Sequence, residues 1–383
     1  MSATDFVIER APVFCNALYD ARDAALAAPT GRIALGIDDE TGVIINTDFD
    51  ESKAAYSDAY ENSLHASPTF DSWARGLAGD LASRWTLADK TVVDVGCGGG
   101  EFLALLKQAG AGRCVGFEPG RSEEAASGAS ARTGVEVRAS AFPAGAGDLD
   151  VGFVTCRHVI EHIAQPMVFL QAIRASLHDG TGVYFEAPSG EYMLNSGAVW
   201  DVLYEHCNYF TQDSLSRLLE RAGFRVVRRE LLFGDQYVAV EAVADVFGPS
   251  KQDANDTAEL EDVRAALRRL AQKRNEKVAT WRDRLRSFHT EGKTVCIWGA
   301  GTKGVMFLCA MREAGAAGAV RFAVDLNTKK HGKYTPVAGV EVTPVARLKS
   351  APVDLIVAMN PMYRGEIALA AQEAGCKAPV EVV

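Results

Sequence analysis

The chain lacks several features that would place a protein in a class at once. None of its eight cysteines forms a C-x-x-C pair, so the sequence predicts neither a disulfide framework nor a zinc knuckle and is typical of a reducing compartment. Its 40 basic residues are outnumbered by 50 acidic residues, which gives a formal net charge of −10. General nucleic-acid binding needs a basic face, so this balance argues against a nucleic-acid partner.

Long apolar runs and a leader are also missing. No apolar run approaches the roughly 20 residues that span a bilayer. The first residues, MSATDFVIERAP, carry acids where a signal peptide has a basic region and an apolar core. The sequence therefore predicts a cytoplasmic protein without a membrane partner.

What the sequence does contain, from Lys90 onward, is an alternation of short apolar runs and helical patterns, which predicts a parallel sheet. The last two apolar runs, FRVVRRELLF and QYVAVEAVA, are separated only by Gly234 and Asp235. That gap is too short for a helical crossover, so these two strands must be antiparallel. The predicted parallel strands are Thr91–Gly96, Cys114–Glu118, Val135–Ala139, Val151–Cys156 and Gly182–Ala187. The predicted fold class is α/β, a doubly wound sheet that is parallel except for an antiparallel end pair.

Three further regions flank this sheet, which we assign to residues 89–250. Residues 1–88 contain a predicted hairpin in GRIALGIDDETGVIINTDF and a helix from Thr69 to Trp85. Residues 251–291 form a polar helical segment with two apolar stripes, which predicts a connector between domains. A second strand–glycine–helix unit opens at Lys293 and predicts a Rossmann-like domain over residues 292–383.

The stretch VVDVGCGGGEFLALL contains a glycine loop between a strand and a helix, which lets a ligand approach the backbone and the helix N-terminus. The spacing Gly96-x-Gly98-x-Gly100 is tighter than the G-x-G-x-x-G of dinucleotide sites. Asp94 and Glu101 flank the loop, so a phosphate would be repelled there and a cationic amine or sulfonium would not. A tight turn without a ligand is the structural alternative.

Glu118 ends the next strand, 22 residues after Gly96, where it can accept hydrogen bonds from two ribose hydroxyls. With these residues and the antiparallel end pair, the sequence resembles the class I S-adenosylmethionine-dependent methyltransferases. The resemblance implies S-adenosylmethionine as cofactor and S-adenosylhomocysteine as product. It also implies that the three loop glycines pack under the methionine part and that Glu118 holds the ribose. The other implied cofactor contacts are Tyr60, Ser63 and Ser67 in a lid segment, together with Asp94, Pro119, Arg157 and His158.

The segment HVIEH matches the H-x-x-E-H arrangement of some zinc peptidases. That interpretation needs a mid-helix position and a distant third ligand, whereas this segment directly follows a strand and is closed by AQP. In the resembled class such a segment lies at the mouth of the cofactor pocket, which implies pocket positions for His158 and His162. A purely structural role for His162 stays open.

The segment WDVLYEHCNYF sharpens the resemblance, toward sugar C-methyltransferases that methylate a nucleotide-activated 4-keto-deoxysugar. Glu205 and His206 match the Glu-His pair of that family, Tyr209 matches its following tyrosine, and Leu203 stands where its first tyrosine would be. Tyr204 stands one place later and is the substitute candidate. The resemblance implies that His206 is the base at the carbon beside the ketone, with Glu205 orienting it or positioning the sugar. A segment of buried aromatics is the alternative.

That family usually carries a four-cysteine zinc site in its N-terminal region. Here a C-x-x-C-G would fall near Asp38-x-x-Thr41-Gly42, and Cys15 is the one cysteine of the region. The sequence therefore predicts no bound metal.

The C-terminal loop GAGTKG fits G-x-G-x-x-G, and Asp325 ends the next strand, 26 residues after Gly299. Alone, this pattern indicates a nicotinamide-binding module. In the resembled family the domain instead helps to wall the substrate cleft, and Lys303 at the helix start could face a substrate diphosphate. The stretch VDLNTKKHGKYTPVAGVEVTPV also resembles one of that family. With the end of VDLIVAMN and the residues after it, it suggests Lys330, Tyr334, Asn360 and Tyr363 as substrate contacts. A solvated surface loop is the alternative for each.

The sequence therefore predicts a C-methyltransferase that acts next to a ketone on a nucleotide-linked deoxysugar or a related natural-product intermediate. An O- or N-methyltransferase on another polar small molecule is the first alternative. A non-catalytic nucleotide sensor is the second. Neither the substrate, nor the methylated atom, nor the oligomeric state follows from the sequence.

Overall fold

The computed structural model describes residues 5–54, 63–147, 149–245 and 257–383. This part of the chain opens with two antiparallel strands, which are connected through a short helix. The first elements are β1 (Phe6–Pro12), α1 (Arg22–Leu26), β2 (Thr30–Ile37), β3 (Ile44–Asn46) and α2 (Pro68–Arg84). Strands β2 and β3 pair antiparallel across Gly42, which has a φ of +73°. The predicted hairpin is confirmed, and the predicted helix is present one residue earlier at both ends.

The central sheet has seven strands among the described residues, in the order β10-β11-β8-β7-β4-β5-β6. Its region comprises β4 (Val92–Val95), α3 (Glu101–Gln108), β5 (Cys114–Phe117), α4 (Glu123–Thr133), β6 (Glu136–Arg138), β7 (Phe153–Arg157), α5 (Pro166–Ala175), β8 (Gly182–Pro188), α6 (Gly190–Ser196), β9 (Asn208–Tyr209), α7 (Gln212–Arg221), β10 (Phe224–Leu232) and β11 (Tyr237–Ala244). All neighbours are parallel except β11, which runs antiparallel to both β8 and β10. The five predicted parallel strands are present with ends shifted by at most two residues, and the antiparallel pair is confirmed.

Burial on both faces explains why these strands are almost continuously apolar. Successive side chains of β4 point to opposite faces, so Val93 and Val95 join one hydrophobic cluster and Val92 joins the other. Burial of each such side chain contributes about 1.5–3 kcal/mol to the stability of the folded state, relative to leaving it exposed. Asp94 is the exception on this strand, since it is 4% exposed and carries a carboxyl group.

A second parallel sheet follows a long helix. This region comprises α8 (Thr257–Thr290), β12 (Val295–Trp298), α9 (Thr302–Glu313), β13 (Val320–Val324), β14 (Val342–Thr343), α10 (Arg347–Ser350), β15 (Leu355–Ala358), α11 (Arg364–Glu373) and β16 (Val380–Val382). The described strands have the order β14-β13-β12-β15-β16, all parallel. The predicted Rossmann-like unit is therefore present, and both predicted stripes of α8 are packed, with Leu267, Leu270 and Leu285 fully buried.

One contact places the N-terminal strands beside the central sheet. Strand β3 pairs antiparallel with β9, so Asn208 and Tyr209 join the sheet of β1, β2 and β3. The segment before β9 is thereby held between the N-terminal sheet and the carboxyl edge of the central sheet. No helix in the described ranges is both long enough and apolar enough to cross a bilayer. The predicted domain boundaries stay predictions.

Candidate active site

The first glycine loop joins β4 to α3 in a left-handed backbone conformation. Gly96, Gly98 and Gly100 have φ values of +69°, +54° and +78°, which residues with a side chain rarely adopt. A Cβ on Gly96 would come within 2.3 Å of Val159 Cγ2, whereas a Cβ on Gly98 would meet nothing within 4 Å. The loop therefore presents bare backbone, with open space at Gly98.

Glu118, just beyond the end of β5, is bonded to this loop. Its Oε2 accepts a hydrogen bond from the Gly98 N–H at 2.9 Å, and its Oε1 accepts one from the Gly120 N–H at 3.2 Å. A carboxylate oxygen accepts two hydrogen bonds, so each oxygen keeps acceptor capacity for a ligand hydroxyl. This is the geometry that a ribose contact needs.

Asp94 is the buried acid beneath the loop. Its Oδ1 accepts a hydrogen bond from the Thr155 hydroxyl at 2.7 Å. Burial raises the pKa of Asp94 to about 6, although the Thr155 bond and the charge of Arg157 act in the opposite direction. The strand end is therefore favourable for a cation and unfavourable for a phosphate.

Arg157 was predicted to contact the cofactor, but its guanidinium pairs with the fully buried Glu186. Its Nε and Nη2 donate to Glu186 Oε1 at 3.0 and 2.7 Å, and its Cζ lies 3.9 Å from the Phe102 ring centroid. Burial raises the pKa of Glu186, but Arg157 and His158 outweigh this effect and lower it to about 2. A buried carboxylate needs such partners, which explains why Arg157 turns inward.

A cleft of about 300 Å³ separates the central domain from the C-terminal domain. Ten predicted site residues line it: Ser63, Ser67, His158, His162, His206, Tyr209, Lys303, Lys330, Asn360 and Tyr363. The predicted residues outside its wall are Asp94, Gly96, Gly98, Gly100, Glu118, Pro119, Arg157, Tyr204, Glu205 and Tyr334. Tyr60 lies outside the described residues. Most predicted substrate residues thus meet in one cleft, while the first glycine loop lies outside this cleft.

Three histidines lie close together on the central-domain side of the cleft. The rings of His162 and His206 meet edge to face with centroids 4.8 Å apart, and a 2.9 Å hydrogen bond links His162 Nδ1 to the Glu205 carbonyl oxygen. Burial, with the nearby His162 and His158, lowers the pKa of His206 well below its usual value. His206 is therefore a neutral imidazole at physiological pH, with a free electron pair on one ring nitrogen.

His158 behaves in the opposite way. Its Nε2 lies 3.0 Å from Glu186 Oε1 and its Nδ1 lies 3.7 Å from Glu161 Oε1. Burial would lower the pKa of His158, but these two carboxylates outweigh it and raise the pKa to about 9. His158 is therefore a cation in the cleft wall.

The structure corrects the roles predicted for Tyr204 and Glu205. The Tyr204 hydroxyl accepts a hydrogen bond from the Asp50 N–H at 3.0 Å, and its side chain is fully buried. Glu205 Oε1 accepts a hydrogen bond from the Cys15 N–H at 2.9 Å, with the residue 1% exposed. Both side chains tie the segment to the N-terminal region and do not reach the cleft.

Tyr209 does line the cleft, but its hydroxyl is bonded twice to Leu203. It accepts a hydrogen bond from the Leu203 N–H and donates one to the Leu203 carbonyl oxygen, both at 2.9 Å. Leu203 also lines the cleft. Leu203, which stands where the resembled family has its first tyrosine, thus faces the cleft with an apolar side chain.

The second glycine loop forms the opposite wall. A Cβ on Gly304 would lie 2.0 Å from the Gly299 carbonyl oxygen, so helix α9 packs directly on the loop backbone. Asp325 Oδ2 accepts a hydrogen bond from the Ala300 N–H at 2.9 Å, which repeats the bond between Glu118 and Gly98. Lys330, 5% exposed, lies 3.3 Å from the Ala300 carbonyl oxygen through its Nζ.

Several bonds join the two walls. The Nζ of Lys303 donates to Asp201 Oδ2 at 2.6 Å, and the side-chain amides of Asn360 and Gln236 exchange two hydrogen bonds of 2.7 and 3.0 Å. Tyr334 pairs through its backbone with Tyr19, away from the cleft, so its predicted substrate contact is corrected.

The predicted lid segment is fastened to the C-terminal domain. The Ser67 hydroxyl donates to Glu366 Oε2 at 2.8 Å and accepts a hydrogen bond from the Phe70 N–H at 3.3 Å. The same Glu366 oxygen accepts a hydrogen bond from the Thr69 N–H at 3.1 Å. The hydroxyl of Ser67 is therefore engaged in capping α2 and in this bond between domains.

Glu161 is the main site residue that the sequence analysis did not single out. It lies in the short turn Ile160–His162 after β7, so HVIEH does not sit in the middle of a helix. Donor atoms of Glu161, His162 and His206 lie within 4.8 Å of one another, a set that could hold a metal ion. The absence of metal stays a prediction. Gln236 and Tyr237 also line the cleft, from a strand end that carries no recognisable motif.

Two family models match the chain. The model described as a methyltransferase domain matches residues 70–229, and the model described as a C-methyltransferase C-terminal domain matches residues 251–378. These matches confirm both parts of the resemblance, the cofactor domain and the C-terminal domain.

The chain is also similar to individual proteins. It is 28% identical over 276 residues to the C-methyltransferase NovU of Streptomyces niveus. The aligned region covers 66% of this chain and 61% of NovU. It is 34% identical over 130 residues to the ubiquinone biosynthesis O-methyltransferase of Bordetella avium (strain 197N), covering 32% of this chain and 50% of that protein. One similar solved structure is the magnesium protoporphyrin IX methyltransferase from Synechocystis PCC 6803 with bound S-adenosylhomocysteine. Its sequence is 16% identical and its TM-score is 0.37, and the match covers 46% of this chain and 84% of that chain. The chain thus matches less than two thirds of the length of these two curated relatives.

Proposed function

We propose that this chain, which matches a methyltransferase-domain model and a C-methyltransferase C-terminal-domain model, uses S-adenosylmethionine to methylate a carbon atom next to a ketone. The proposed acceptor is a nucleotide-linked deoxysugar or a related natural-product intermediate. His206 is the proposed general base. The observation that carries the proposal is a neutral, buried histidine in a cleft walled by a C-methyltransferase C-terminal domain.

The residues of the first loop fit the proposed cofactor. Gly98 borders open space, and both Glu118 oxygens keep acceptor capacity that suits two ribose hydroxyls. The buried Asp94 supplies negative charge near the loop. When bound, S-adenosylmethionine supplies an electrophilic methyl group on a sulfonium cation, so its charge matches this site.

The opposite wall supports an anionic acceptor. Lys303 is the second residue of helix α9, whose first residues line the cleft, and Lys330 lies buried under the same loop. A helix N-terminus with lysines favours a diphosphate. Asn360 and Tyr363 are proposed contacts to the rest of the substrate.

The chemistry needs a base and an aligned methyl donor. The ketone acidifies the neighbouring C–H bond, and His206 takes that proton. The electron pair of the broken C–H bond would form the new bond to the methyl carbon as the methyl–sulfur bond breaks, and the electron pair of that bond would stay on sulfur. Burial of His206 keeps it unprotonated before this step and excludes water from the reacting carbon.

A methyltransferase acting on oxygen or nitrogen is the second candidate. It is favoured by the 34% identity to an O-methyltransferase and by Leu203, since the resembled C-methyltransferases carry a tyrosine there. Such an enzyme would use the same cofactor residues but would not need His206 to remove a proton from carbon.

The test is the position of the new methyl group. The chain is incubated with S-adenosylmethionine carrying a ¹³C methyl and a thymidine-diphosphate-linked 4-keto-6-deoxysugar, and the product is analysed by NMR. We expect a methyl carbon bonded to carbon, and a loss of about 10²- to 10⁴-fold in turnover for His206→Asn with unchanged affinity for S-adenosylhomocysteine. A methyl on oxygen or nitrogen would favour the second candidate. Near-wild-type turnover of His206→Asn would refute the base assignment.

A further inference from the structure

We propose that Glu161 is the carboxylate that supports His206 during proton removal, a role that the sequence had indicated for Glu205. The inference rests on the proposed function. Glu161 acts through His206, so it is a positioning residue in this account.

Glu161 has the placement that Glu205 lacks. It lines the cleft although it is 2% exposed, and one of its carboxylate oxygens lies within 4.8 Å of a ring nitrogen of His206. Glu205 is bonded to Cys15 and lies outside the cleft wall. Of these two acids, Glu161 is therefore the one beside the reacting group.

One oxygen of Glu161 is held and the other is available. Its Oε1 lies 3.7 Å from His158 Nδ1 and 3.9 Å from His162 Nε2. Its Oε2 is buried and has no hydrogen-bond partner among the residues that the structure describes, and the same holds for His206 Nδ1. Buried polar atoms of this kind are usually paired, so they point to a missing group between or beside them.

The charges around His206 explain why it needs an acid. Among the described residues, the titratable groups near it include His158, His162 and Glu161 from the turn after β7, the adjacent Cys207, and Tyr209 from β9, whose ring centroid lies 6.1 Å away. When His206 takes a proton, it becomes a cation in a buried site beside two other histidines. A carboxylate at this distance stabilises that cation, and Glu161 is the residue placed to supply the negative charge.

The distance also suits a bridging group. A separation of up to 4.8 Å is too long for a direct hydrogen bond, but a water or a substrate hydroxyl between the two residues would bond both. This group would satisfy the buried oxygen of Glu161 and fix the ring of His206.

Exchange of the substrate C–H in D₂O tests the proposal apart from methyl transfer. The same 4-keto-6-deoxysugar is incubated with the enzyme and S-adenosylhomocysteine, and deuterium at the carbon beside the ketone is followed by NMR across a pH series. For Glu161→Gln we expect exchange about 10- to 100-fold slower than in the wild type. We also expect the acid side of its pH profile to move to lower pH, because His206 loses a negative neighbour. Glu161→Asp, which keeps the charge, should recover part of the rate.

The controls separate this proposal from the proposed function. Affinity for S-adenosylhomocysteine should stay within about twofold in Glu161→Gln, because Glu118 and the first glycine loop, the main proposed cofactor contacts, are unchanged. Glu161→Gln with exchange and a pH profile like the wild type would overturn the role of Glu161 while leaving the proposed function intact. A wild type that shows neither exchange nor C-methylation would overturn the proposed function itself, and this inference with it. If Glu161→Gln does not fold, Glu161→Asp decides: a rate below that of the wild type, with the acid side of the pH profile close to that of the wild type, would support the proposal, and a rate equal to that of the wild type would overturn it.

Metal binding gives a second decisive measurement. The donor set of Glu161, His162 and His206 could instead hold Zn²⁺, and an ion on His206 would occupy the electron pair that a base needs. We expect the dialysed wild type to contain no stoichiometric zinc by elemental analysis. One tightly bound zinc per chain, lost in Glu161→Gln, would overturn the proposal in favour of a metal site.

Discussion

The two glycine loops of this chain share one hydrogen bond and differ in charge. In the first, Glu118 accepts from the Gly98 N–H at 2.9 Å, and in the second, Asp325 accepts from the Ala300 N–H, also at 2.9 Å. Each acid follows the strand next to its loop. The shared bond shows that an acid at this position can serve the loop itself, so it does not identify a ligand.

The charges beside the loops make the distinction. The first loop follows the buried Asp94 and precedes Glu101, which pairs with Arg132. The second is followed by Lys303, which pairs with Asp201, and lies over the buried Lys330, whose Nζ is 3.5 Å from Asp325. A sulfonium cofactor suits the first environment and a phosphate suits the second. We therefore expect the two similar backbones to take ligands of different charge, with the neighbouring side chains as the deciding feature.

The largest expected effect is on stability, from Gly304→Ala. The new Cβ would lie 2.0 Å from the Gly299 carbonyl oxygen, and backbone cannot move aside as a side chain does. We expect a loss of about 3 kcal/mol, seen as a lower unfolding midpoint in urea. Gly98→Ala has open space and a φ of +54°, so about 1–2 kcal/mol of backbone strain is expected, together with weaker cofactor binding.

Gly128→Ala is the matched control, because it lies in α4 with nothing within 4 Å of its Cβ. It should be neutral or slightly stabilising. A Gly304→Ala variant as stable as the wild type would show that the second loop is looser than described.

The next effect is a pH-dependent gain of stability in Asp94→Asn. The pKa of Asp94 is raised by burial from 3.8 to about 6, so above pH 6 the folded state holds an unfavourable charge worth about 3 kcal/mol. Below about pH 3 the carboxyl is protonated in both the folded and unfolded states and the difference disappears. Asp94→Asn should therefore be more stable than the wild type near pH 8 and equal to it at about pH 3, in paired thermal melts.

The exposed Asp80→Asn serves as control and should show no such pH dependence. The same Asp94→Asn variant should bind the proposed sulfonium cofactor more weakly. If the Asp94 variant and the wild type were equally stable across this pH range, burial of the Asp94 charge would not destabilise the folded state as proposed.

A smaller effect is expected at the second loop. Lys303→Ala should raise the KM for the nucleotide-linked substrate about tenfold, since one phosphate contact is worth about 1.4 kcal/mol, and should leave affinity for S-adenosylhomocysteine unchanged. Lys293→Ala removes a lysine of an exposed ion pair with Glu291 and should change neither value. If Lys303→Ala altered cofactor affinity and not KM, the two loops would have been assigned in reverse.

The smallest expected effect is that of NAD, which should leave the melting temperature unchanged. Asp325 Oδ2 already accepts from both the Ala300 N–H and Lys330 Nζ, so Asp325 has less acceptor capacity than Glu118 for two ribose hydroxyls, and NAD should not shift the melting temperature. S-Adenosylhomocysteine at 100 times its Kd should add about 2.7 kcal/mol to the free energy of unfolding. Stabilisation by NAD that disappears in Asp325→Asn would revive the nicotinamide interpretation.

The elements of both sheets could be predicted because apolar periodicity and glycine position are local features. The antiparallel pair followed from a gap of two residues. The roles of Tyr204 and Glu205 could not be predicted, because contacts far along the chain decide them. Tyr204 packs against Gly31, where a Cβ would lie 2.1 Å from its ring, and Glu205 bonds to Cys15, 190 residues away.

Glu161 was missed for a different reason. Its segment fits a metal motif, and the motif directs attention to the two histidines. Only the folded chain shows that His206 completes a group with Glu161 and His162, because that group joins the turn after β7 to the segment before β9.

Isothermal titration of S-adenosylhomocysteine is the most direct test of the central claim, that the first loop and Glu118 hold the cofactor. The account predicts binding of one molecule per chain in the wild type and in Asp325→Asn, and affinity at least about 100-fold weaker in Glu118→Ala. Binding that survived in Glu118→Ala and was lost in Asp325→Asn would contradict it, as would well-folded wild type that releases no heat.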